Sequence, residues 1–481
     1  MRRCVLRVKS RVWLGVMLVL AGIQGSSRGF AQVQLPDSPA GKQLKGWLEA
    51  FDGSSFEAYQ AFLAKNLPSQ VAEADRYWQF RQMTGGFDVK KIEESAPTRL
   101  VVLVQDRDTD QIGRLTIEVD AAEPHPIRSL DVRAIPRPAD MPLPHLSESE
   151  LIAAARQKAE KETAADHFAG AILIARDGKP VFAQAYGMAD REHRIPNTLE
   201  TRFRIGSMSK MFTAVAVLQL AAAGKLRLED PLGKYLTDYP NQEIATKVTV
   251  RELLTHTGGT GDIFGPEFDG HREELRTLGD YVRLYGNRPP RFEPGSRFEY
   301  SNYGFILLGA IIEKVSGESY YDYVREHVYA PAGMTETGSE PENQAVPERS
   351  VGYTAMGGSG LHPNTDTLPW RGSSAGGGYS TVGDLLRFAN ALESHKLLDA
   401  HFMEPATTGQ VETPMGPYGL GFEVHTNNGN QCFGHGGGAP GMNGELEICP
   451  GAGYVVAVLA NMDPPAAQRL EDFVVDRLPE K

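Results

Sequence analysis

The pattern of apolar and polar residues divides the 481-residue chain at a proline-rich stretch, "IPRPADMPLPH", residues 135–145. Its four prolines favour stiff, extended backbone and cannot continue a helix or a central strand. Directly after it, Ser147 and Glu150 have the spacing of a capping box that opens the helical segment "ESELIAAARQKAEKE". We therefore expect one unit over residues 36–135, a linker over 136–146 and a second unit over 147–481.

In the first unit, helical spacing is followed by strand-like alternation. The segments "SFEAYQAFLAKNL" and "AEADRYWQFRQM" have helical periodicity, whereas "RLVVLVQD", "GRLTIEVD" and "IRSLDVRAI" are typical of strands. This order predicts a small α+β domain, with a curved antiparallel sheet that carries helices on one side. In this order of elements the unit resembles the NTF2-like and cystatin-like folds.

The second unit begins and ends with strands. "AGAILIARDGKPVFAQAYG" predicts a hairpin that turns at Asp177-Gly178, a pair that tolerates positive φ. A long middle region is rich in helices, and the end returns to strands at "YGLGFEVH", "QCFGHGG", "GELEICP" and "YVVAVLANM". We expect an α+β, multi-domain chain, in which N- and C-terminal strands of this unit share one antiparallel sheet flanked by helices, with a helical lobe inserted.

The first 31 residues have the composition of a secretory signal. Basic "MRRCVLRVKSR" precedes twelve apolar or small residues, "VWLGVMLVLAGI", and small residues follow at Gly29 and Ala31. This pattern predicts cleavage after Ala31 and export to the periplasm or the medium. A membrane anchor is the alternative, but twelve helical residues span about 18 Å, well short of the roughly 30 Å core of a bilayer. We expect no integral membrane segment after cleavage.

The net charge limits the classes of binding partner that are expected, and the cysteine content bears on the redox compartment of the protein. Removal of the 31 residues takes away six of 49 basic residues, which leaves 43 against 61 acidic residues, a net charge of −18. Such acidity disfavours nucleic acid and anionic membranes and leaves a small-molecule or peptide substrate; the oligomeric state stays open. Two cysteines then remain, Cys432 and Cys449. An oxidising compartment permits a disulfide between them, and two buried thiols are the alternative.

A Ser-x-x-Lys pair opens the predicted helix "GSMSKMFTAVAVLQLAAAG". Residues i and i+3 of a helix share a face, so Lys210 can reach Ser207. A lysine whose pKa is lowered by burial can activate a serine hydroxyl, and the helix start offers N–H groups to an oxyanion. A serine that caps the helix beside a solvated lysine is the alternative, since the bare motif is close to chance. The apolar residues after Lys210 predict a buried helix, where a lysine needs a partner or a function.

Two further elements complete a candidate site. Of three Tyr-x-Asn triplets, the one favoured is Tyr300-Ser-Asn302, because it follows a Pro-Gly turn and starts an apolar helix; the others are Tyr239-Pro-Asn241 and Tyr285-Gly-Asn287. A packed aromatic is the alternative for Tyr300. The third element is the glycine-rich "CFGHGGGAPG" around His435. "HTGG", residues 256–259, competes with it, but Gly258 there is interpreted as the C-cap of the helix "RELLTH".

Five segments in this order, "FRIGSMSKMFTA", "ELLTHTGG", "YSNYGFILLG", "AGGGYST" and "GHGGGAPG", resemble the class C β-lactamase-related serine hydrolase family over about residues 150–475. The resemblance implies a DD-peptidase/β-lactamase-like fold and hydrolysis of an ester or amide through an acyl-enzyme, with no cofactor and no metal. It implies that Ser207 is the acylated nucleophile and that Lys210 and Tyr300 transfer the proton. Asn302 would orient the lysine and the substrate amide.

The same resemblance assigns the third motif to His435 with Gly437, and the oxyanion hole to the N–H groups of Ser207 and Gly438. The lactamases of the family usually carry Lys-Thr-Gly at the third motif, where the ammonium faces the substrate carboxylate; this chain has His-Gly-Gly. Histidine is a weaker, pH-dependent cation. This departure disfavours a dedicated β-lactamase, and the expected function is that of an esterase, a D-Ala peptidase or a β-lactamase-like enzyme, with the substrate left open.

Three other classes of function are less consistent with the sequence. The one Gly-x-Ser-x-Gly match, residues 25–29, falls in the predicted signal segment, which disfavours an α/β-hydrolase. The twelve histidines are scattered, without the spacing of a metal hydrolase. A non-catalytic exported binding protein that retains the fold is the remaining alternative.

Overall fold

The protein is described from a computed structural model over residues 33–138, 140–357, 360–414 and 416–480. The predicted signal segment, residues 1–31, lies outside the described residues. The chain divides into two units. The first ends at Ile135, and the second runs from Pro136 onwards and includes Asp108–Asp110.

The first unit contains three helices followed by an antiparallel meander with strand order β1-β2-β3-β4. The elements are α1 Pro39–Phe51, α2 Phe56–Asn66, α3 Ala74–Thr84, β1 Phe87–Ala96, β2 Arg99–Asp106, β3 Ile112–Val119 and β4 Ile127–Ala134. Trp47 and Phe87 both stack on Phe51, which joins α1 to the sheet in one aromatic core. The likeness to NTF2-like or cystatin-like folds stays a prediction.

Two of these elements, α1 and β1, were absent from the sequence prediction. The helix α1 is opened by Ser38, whose side chain accepts the N–H of Gly41, with Pro39 in the first turn. Its two glycines and three charged residues dilute the helical pattern. Strand β1 is mostly exposed and polar, "KKIEES", so pairing with β2 and not its own sequence makes it a strand.

The second unit consists of one large sheet, several short strands and twelve helices among the described residues. The helices are α4 Glu148–Ala164, α5 Ser209–Ala222, α6 Gln242–Lys247, α7 Val250–Leu254, α8 Pro266–His271, α9 Leu278–Tyr285, α10 Asn302–Ser316, α11 Tyr320–Val324, α12 Ala330–Ala332, α13 Val382–Glu393, α14 Ala400–Thr407 and α15 Gln468–Val475. The strands are β5 Gly170–Arg176, β6 Lys179–Tyr186, β7 Met188–Asp190, β8 Ile195–Pro196, β9 Phe203–Arg204, β10 Tyr353–Thr354, β11 His362–Pro363, β12 Tyr379–Ser380, β13 Val411–Thr413, β14 Gly416–Tyr418, β15 Glu423–Asn427, β16 Asn430–Ala439, β17 Met442–Cys449 and β18 Tyr454–Ala460.

The large sheet confirms the predicted sharing of N- and C-terminal strands. Its antiparallel order is β13-β14-β15-β16-β17-β18-β5-β6, so the first hairpin of the unit pairs with the last strand through β18 and β5. The turn of that hairpin has positive φ at both Asp177 and Gly178, as the pair predicts. One face of the sheet packs on the helical lobe and the other on α4 and α15. The architecture is the α+β fold that was expected.

The flanks of the linker also follow the sequence pattern. The described residues of 136–146 form neither helix nor strand, and Ser147 with Glu150 forms a complete capping box at the start of α4. Across the described ranges, no helix combines the length and apolar character that crossing a membrane requires.

A disulfide joins Cys432 on β16 to Cys449 on β17. The register pairs Phe433 with Ile448, so the two cysteines lie directly opposite each other on the adjacent strands. The start of β16 is therefore attached to β17 by a covalent link, and the glycine-rich end of β16 is attached to β17 by strand pairing.

Candidate active site

Ser207 lies in a 3-10 turn, Gly206–Met208, that leads directly into α5. Its side chain is partly exposed and does not cap the helix; the Oγ is 3.1 Å from the Nζ of Lys210. The backbone of Gly206 has φ +53°. A Cβ there would lie 3.0 Å from the amide nitrogen of Gly438, so only glycine permits this close approach.

Lys210 is completely buried at the start of the apolar helix α5. Burial lowers the pKa of its ammonium group to about 7, although the charges of Asp262 and Glu423 partly oppose that shift. A large fraction of the lysine is therefore neutral near pH 7. The buried lysine that the sequence predicted does have a partner, and it is the neighbouring serine.

The hydrogen bonds of Lys210 leave one direction for the proton of Ser207. The Nζ is 2.7 Å from the Oδ1 of Asn302, and it also bonds the carbonyl oxygen of Ala375. Both oxygens can only accept, so they take the two N–H groups of a neutral amine. Its lone pair is then directed at the Ser207 hydroxyl, as a general base requires.

Asn302 is itself held by a carboxylate. Its Nδ2 donates to the Oδ1 of Asp262 at 2.9 Å, while its Oδ1 faces Lys210. Because a lysine only donates and a carboxylate only accepts, these two partners determine the orientation of the amide. Asn302 therefore presents its oxygen to Lys210 and one N–H group to Asp262.

Tyr300 completes the group around the nucleophile. The Nζ of Lys210 lies 4.7 Å from the centre of its ring. Burial raises the pKa of Tyr300 well above its usual value, and the interaction of its phenol with the side chain of Ser207 only partly opposes this. The tyrosine is neutral at ordinary pH, so it can pass a proton on but is a poor base.

The other two Tyr-x-Asn triplets lie in the packed helical lobe. Tyr239 is buried with its hydroxyl 3.2 Å from that of Tyr303, and Tyr285 donates to the carbonyl of Ile263 at 3.0 Å. Asn241 caps α6. Both triplets have structural partners, and only Tyr300-Ser-Asn302 meets the Ser-x-x-Lys pair.

The end of β16 supplies backbone N–H groups beside Ser207. The two-residue turn between β16 and β17 makes Ala439 and Met442 a hydrogen-bonded pair, so odd-numbered residues of β16 bond β17. Even-numbered ones face β15, which ends its pairing at Gly434. The amide of Gly438 therefore points to an open edge.

Gly437 brings that edge against the nucleophile. A Cβ on Gly437 would lie 2.1 Å from the carbonyl of Ile205 and 2.9 Å from the amide nitrogen of Ser207. Only glycine allows the strand to approach so closely, and the approach sets the N–H groups of Ser207 and Gly438 side by side. Two converging amides of this kind can stabilise an oxyanion.

Comparison with known proteins agrees with this geometry. The sequence profile described as Beta-lactamase matches residues 155–479, more than half of the chain. The chain belongs to the beta-lactamase family. The match begins within α4 and ends after α15, so it covers the large sheet and the helical lobe.

Several relatives of this beta-lactamase-family chain have solved structures. It is 33% identical to a penicillin-binding protein from Bacillus halodurans, with a TM-score of 0.59 over 65% of this chain and 97% of that one. It is 31% identical to a D-stereospecific amidohydrolase from Streptomyces sp., with a TM-score of 0.58 over 66% and 97%. Among curated proteins, it is 34% identical to the putative penicillin-binding protein PbpX of Bacillus subtilis, over 53% of this chain. The match spans 62% of PbpX, so the chain covers less than two thirds of the length of that relative.

His435 differs from what was expected of a cation that faces the substrate. The side chain is buried, its Nε2 is 3.1 Å from the hydroxyl of Tyr418, and its Nδ1 bonds the carbonyl of Gly436. Burial lowers the pKa of His435, which keeps the ring neutral. The third motif of this beta-lactamase-family protein therefore offers glycine N–H groups and no ammonium.

The interpretation of Gly258 as a helix C-cap was wrong. Helix α7 ends at Leu254, and the residue with left-handed backbone after it is His256, with φ +57°. His256 is buried, and its ring stacks on that of Tyr300 at 4.4 Å between centres. The "HTGG" segment is thus part of the site, where the sequence had suggested only the end of a helix.

Sequence reasoning also missed three groups that complete the site. Asp262 orients Asn302, the carbonyl of Ala375 accepts from Lys210, and Tyr418 bonds His435. Ala375 belongs to the segment "AGGGYST", whose resemblance to a family segment was its only signal, and Asp262 lies three residues beyond the segment "ELLTHTGG" and had no signal of its own. Tyr418 had no signal at all.

Proposed function

We propose that this chain is a serine hydrolase that cleaves an ester or amide through an acyl-enzyme on Ser207. Lys210 accepts the hydroxyl proton as Ser207 attacks the carbonyl, and the N–H groups of Ser207 and Gly438 hold the oxyanion. Tyr300 passes the proton to the leaving group. Water then cleaves the acyl-enzyme by the same steps in reverse.

One observation carries the proposal. A fully buried lysine, with a pKa lowered to about 7 by that burial, lies 3.1 Å from a partly exposed serine hydroxyl. A buried lysine without a carboxylate in contact is costly to fold, and proton transfer gives it a function. The 31% identity to a D-stereospecific amidohydrolase supports the same class of reaction.

A fluorophosphonate probe tests the proposal directly. We expect the wild-type protein to take up one probe, which peptide mapping locates on Ser207, and Ser207→Ala to take up none. Ser209→Ala is the matched control, because Ser209 lies two residues further on, at the start of α5, and donates to the carbonyl of Gly377. A folded wild-type protein that stays unlabelled would instead favour a binding protein that retains the fold.

We also propose that the protein is exported by the segment over residues 1–31. Its basic, apolar and small-residue sections support this, and so does the disulfide between Cys432 and Cys449, since disulfides persist in oxidising compartments. A fusion of residues 1–35 to alkaline phosphatase, which is active only after export, tests it.

For the substrate, we propose an ester or amide without a carboxylate on the side that faces β16. The charges that act on Lys210 are the carboxylates of Asp262 and Glu423. Glu423 accepts the N–H of Gly436 at 3.2 Å, on the open edge beside Gly438. The neutral His435 does not offset these charges. A carboxylate on the substrate would be repelled, and a neutral or ammonium group would be tolerated.

Paired substrates measure this charge preference. D-phenylalanine p-nitroanilide should be cleaved with a kcat/KM about tenfold or more above that of its N-succinyl derivative, because the latter brings a carboxylate near Glu423. Glu423→Gln, which retains an acceptor for Gly436, should reduce that ratio several-fold, to about threefold. Glu404→Gln, in the surface helix α14, serves as the charge-matched control. An unchanged ratio in Glu423→Gln would contradict the assignment of Glu423.

A further inference from the structure

We propose that His256, Tyr418 and His435 form a buried hydrogen-bond chain that holds the second and third motifs at a fixed separation. In this inference, which rests on the proposed function, Tyr418 is a positioning residue. Its role is to keep the N–H of Gly438 in place relative to Ser207 and Tyr300.

One backbone amide, that of Ser301, determines the direction of every hydrogen bond in this buried series. The N–H of Ser301 donates to the Nδ1 of His256 at 3.0 Å, so a neutral His256 carries its proton on Nε2. That Nε2 lies 3.2 Å from the hydroxyl oxygen of Tyr418 and donates to it. The Tyr418 proton is then free for the Nε2 of His435, at 3.1 Å.

The chain ends on the third motif. Because the Nε2 of His435 accepts, its proton sits on Nδ1, where the carbonyl of Gly436 receives it. The hydrogen bonds therefore run from Ser301, between Tyr300 and Asn302, to Gly436, two residues before Gly438. Tyr418 is within hydrogen-bond distance of both histidines.

Burial makes this arrangement costly to disturb. His256, Tyr418 and His435 are each at most 3% exposed. A donor or acceptor that loses its partner among them therefore cannot form a replacement hydrogen bond with bulk water. His256 also has a left-handed backbone conformation although it is not a glycine. Such a conformation is uncommon for residues with a side chain and is maintained by contacts with the surrounding structure. Its ring stacks on Tyr300, so a shift of His256 reaches the proton-transfer group directly.

Neutral rings are a condition for these hydrogen bonds. A second proton on His256 would place an Nδ1–H group against the N–H of Ser301, and a second proton on His435 would make both histidines donors to Tyr418. Burial lowers the pKa of both rings. The charged and titratable groups that act on His256 are Lys210 and His435; on His435 they are Glu423, Lys210 and His425. Of these, Glu423 alone is acidic, and it favours protonation without outweighing burial.

The first measurement reads the protons themselves. In protein labelled with ¹⁵N-histidine, two-bond ¹H–¹⁵N spectra should show His256 as the Nε2–H tautomer and His435 as the Nδ1–H tautomer, unchanged from pH 6 to 8. His256→Gln and His435→Gln assign the signals. The opposite tautomers, or a protonated ring in this range, would overturn the proposal. This readout does not need turnover, so it separates failure of the chain from failure of the proposed hydrolase activity.

The second measurement determines how the hydrogen bonds of Tyr418 affect catalysis. With p-nitrophenyl butyrate, Tyr418→Phe should lower kcat about 10- to 100-fold, because the oxyanion donor is misplaced, while KM stays within about threefold. The matched control is Tyr239→Phe, which also removes a buried hydroxyl hydrogen bond but in the helical lobe; it should retain kcat within about twofold. Loss of the single His435 tautomer in Tyr418→Phe supports the chain. A variant with wild-type kcat and unchanged tautomers refutes it.

Discussion

Replacing Lys210 by methionine is expected to lower kcat/KM for an ester substrate by about 10³-fold or more. The substitution keeps the length of the side chain but removes the only base in contact with the Ser207 hydroxyl among the described residues. It also removes a buried amine that contacts no carboxylate within the described part of the chain, so the melting temperature should hold or rise. Loss of activity in a protein of equal or greater stability would separate catalysis from folding.

The pH dependence of the wild-type protein provides the companion measurement. Lysine must be neutral to accept a proton, and burial lowers its pKa to about 7. The kcat/KM should therefore fall as the pH drops below 7 and level off above it. A profile that is flat from pH 5.5 to 8.5, or a methionine variant with more than about a tenth of wild-type activity, would contradict Lys210 as the base.

Tyr300→Phe is expected to lower kcat by about 10²-fold or more, because the leaving group then loses its proton donor. The hydroxyl that is removed interacts with the side chain of Ser207, and the ring that remains preserves the stacking on His256. The fold should therefore persist, which thermal unfolding can check. The acid limb of the pH profile should stay near pH 7, since it belongs to Lys210.

Tyr285→Phe is the matched control for this variant. Tyr285 belongs to another Tyr-x-Asn triplet, and its side chain is less exposed to solvent than that of Tyr300. Its hydroxyl donates to the carbonyl of Ile263 in the helical lobe. It should retain kcat within about threefold. If Tyr300→Phe also kept its activity within a few-fold of wild type, the assignment of Tyr300 as proton donor would be wrong. Lys210 alone would then both accept the Ser207 proton and deliver it to the leaving group.

The sequence predicted the elements whose signals are local. The hairpin at Asp177-Gly178 depends on two adjacent residues, and the capping box of α4 on four. The buried helix behind Lys210 follows from its run of apolar residues. The choice of Tyr300 among three triplets depended on the turn before it and the apolar helix after it, and of the three tyrosines it is the one that lies beside Lys210.

What the sequence could not predict depends on contacts between distant segments. Tyr418 meets His256 across 162 positions, and nothing near either residue indicates the pairing. The direction of the His435 side chain was hidden because its neighbours are glycines, which erase the alternation that tells one face of a strand from the other. His256 was missed because a glycine is the usual left-handed residue after a helix, and two glycines followed it.

The open edge of β16 limits the number of ligand residues that can pair with it. Glu423 already occupies the N–H of Gly436, and the chain turns away at Pro440-Gly441. Only the backbone groups around Gly438 are left between these two limits. A ligand can thus align one or two residues along the edge but cannot extend it as a full additional strand. The outer edges of the large sheet are β13 and β6, so this gap beside β16 is a short interruption of strand pairing inside the sheet.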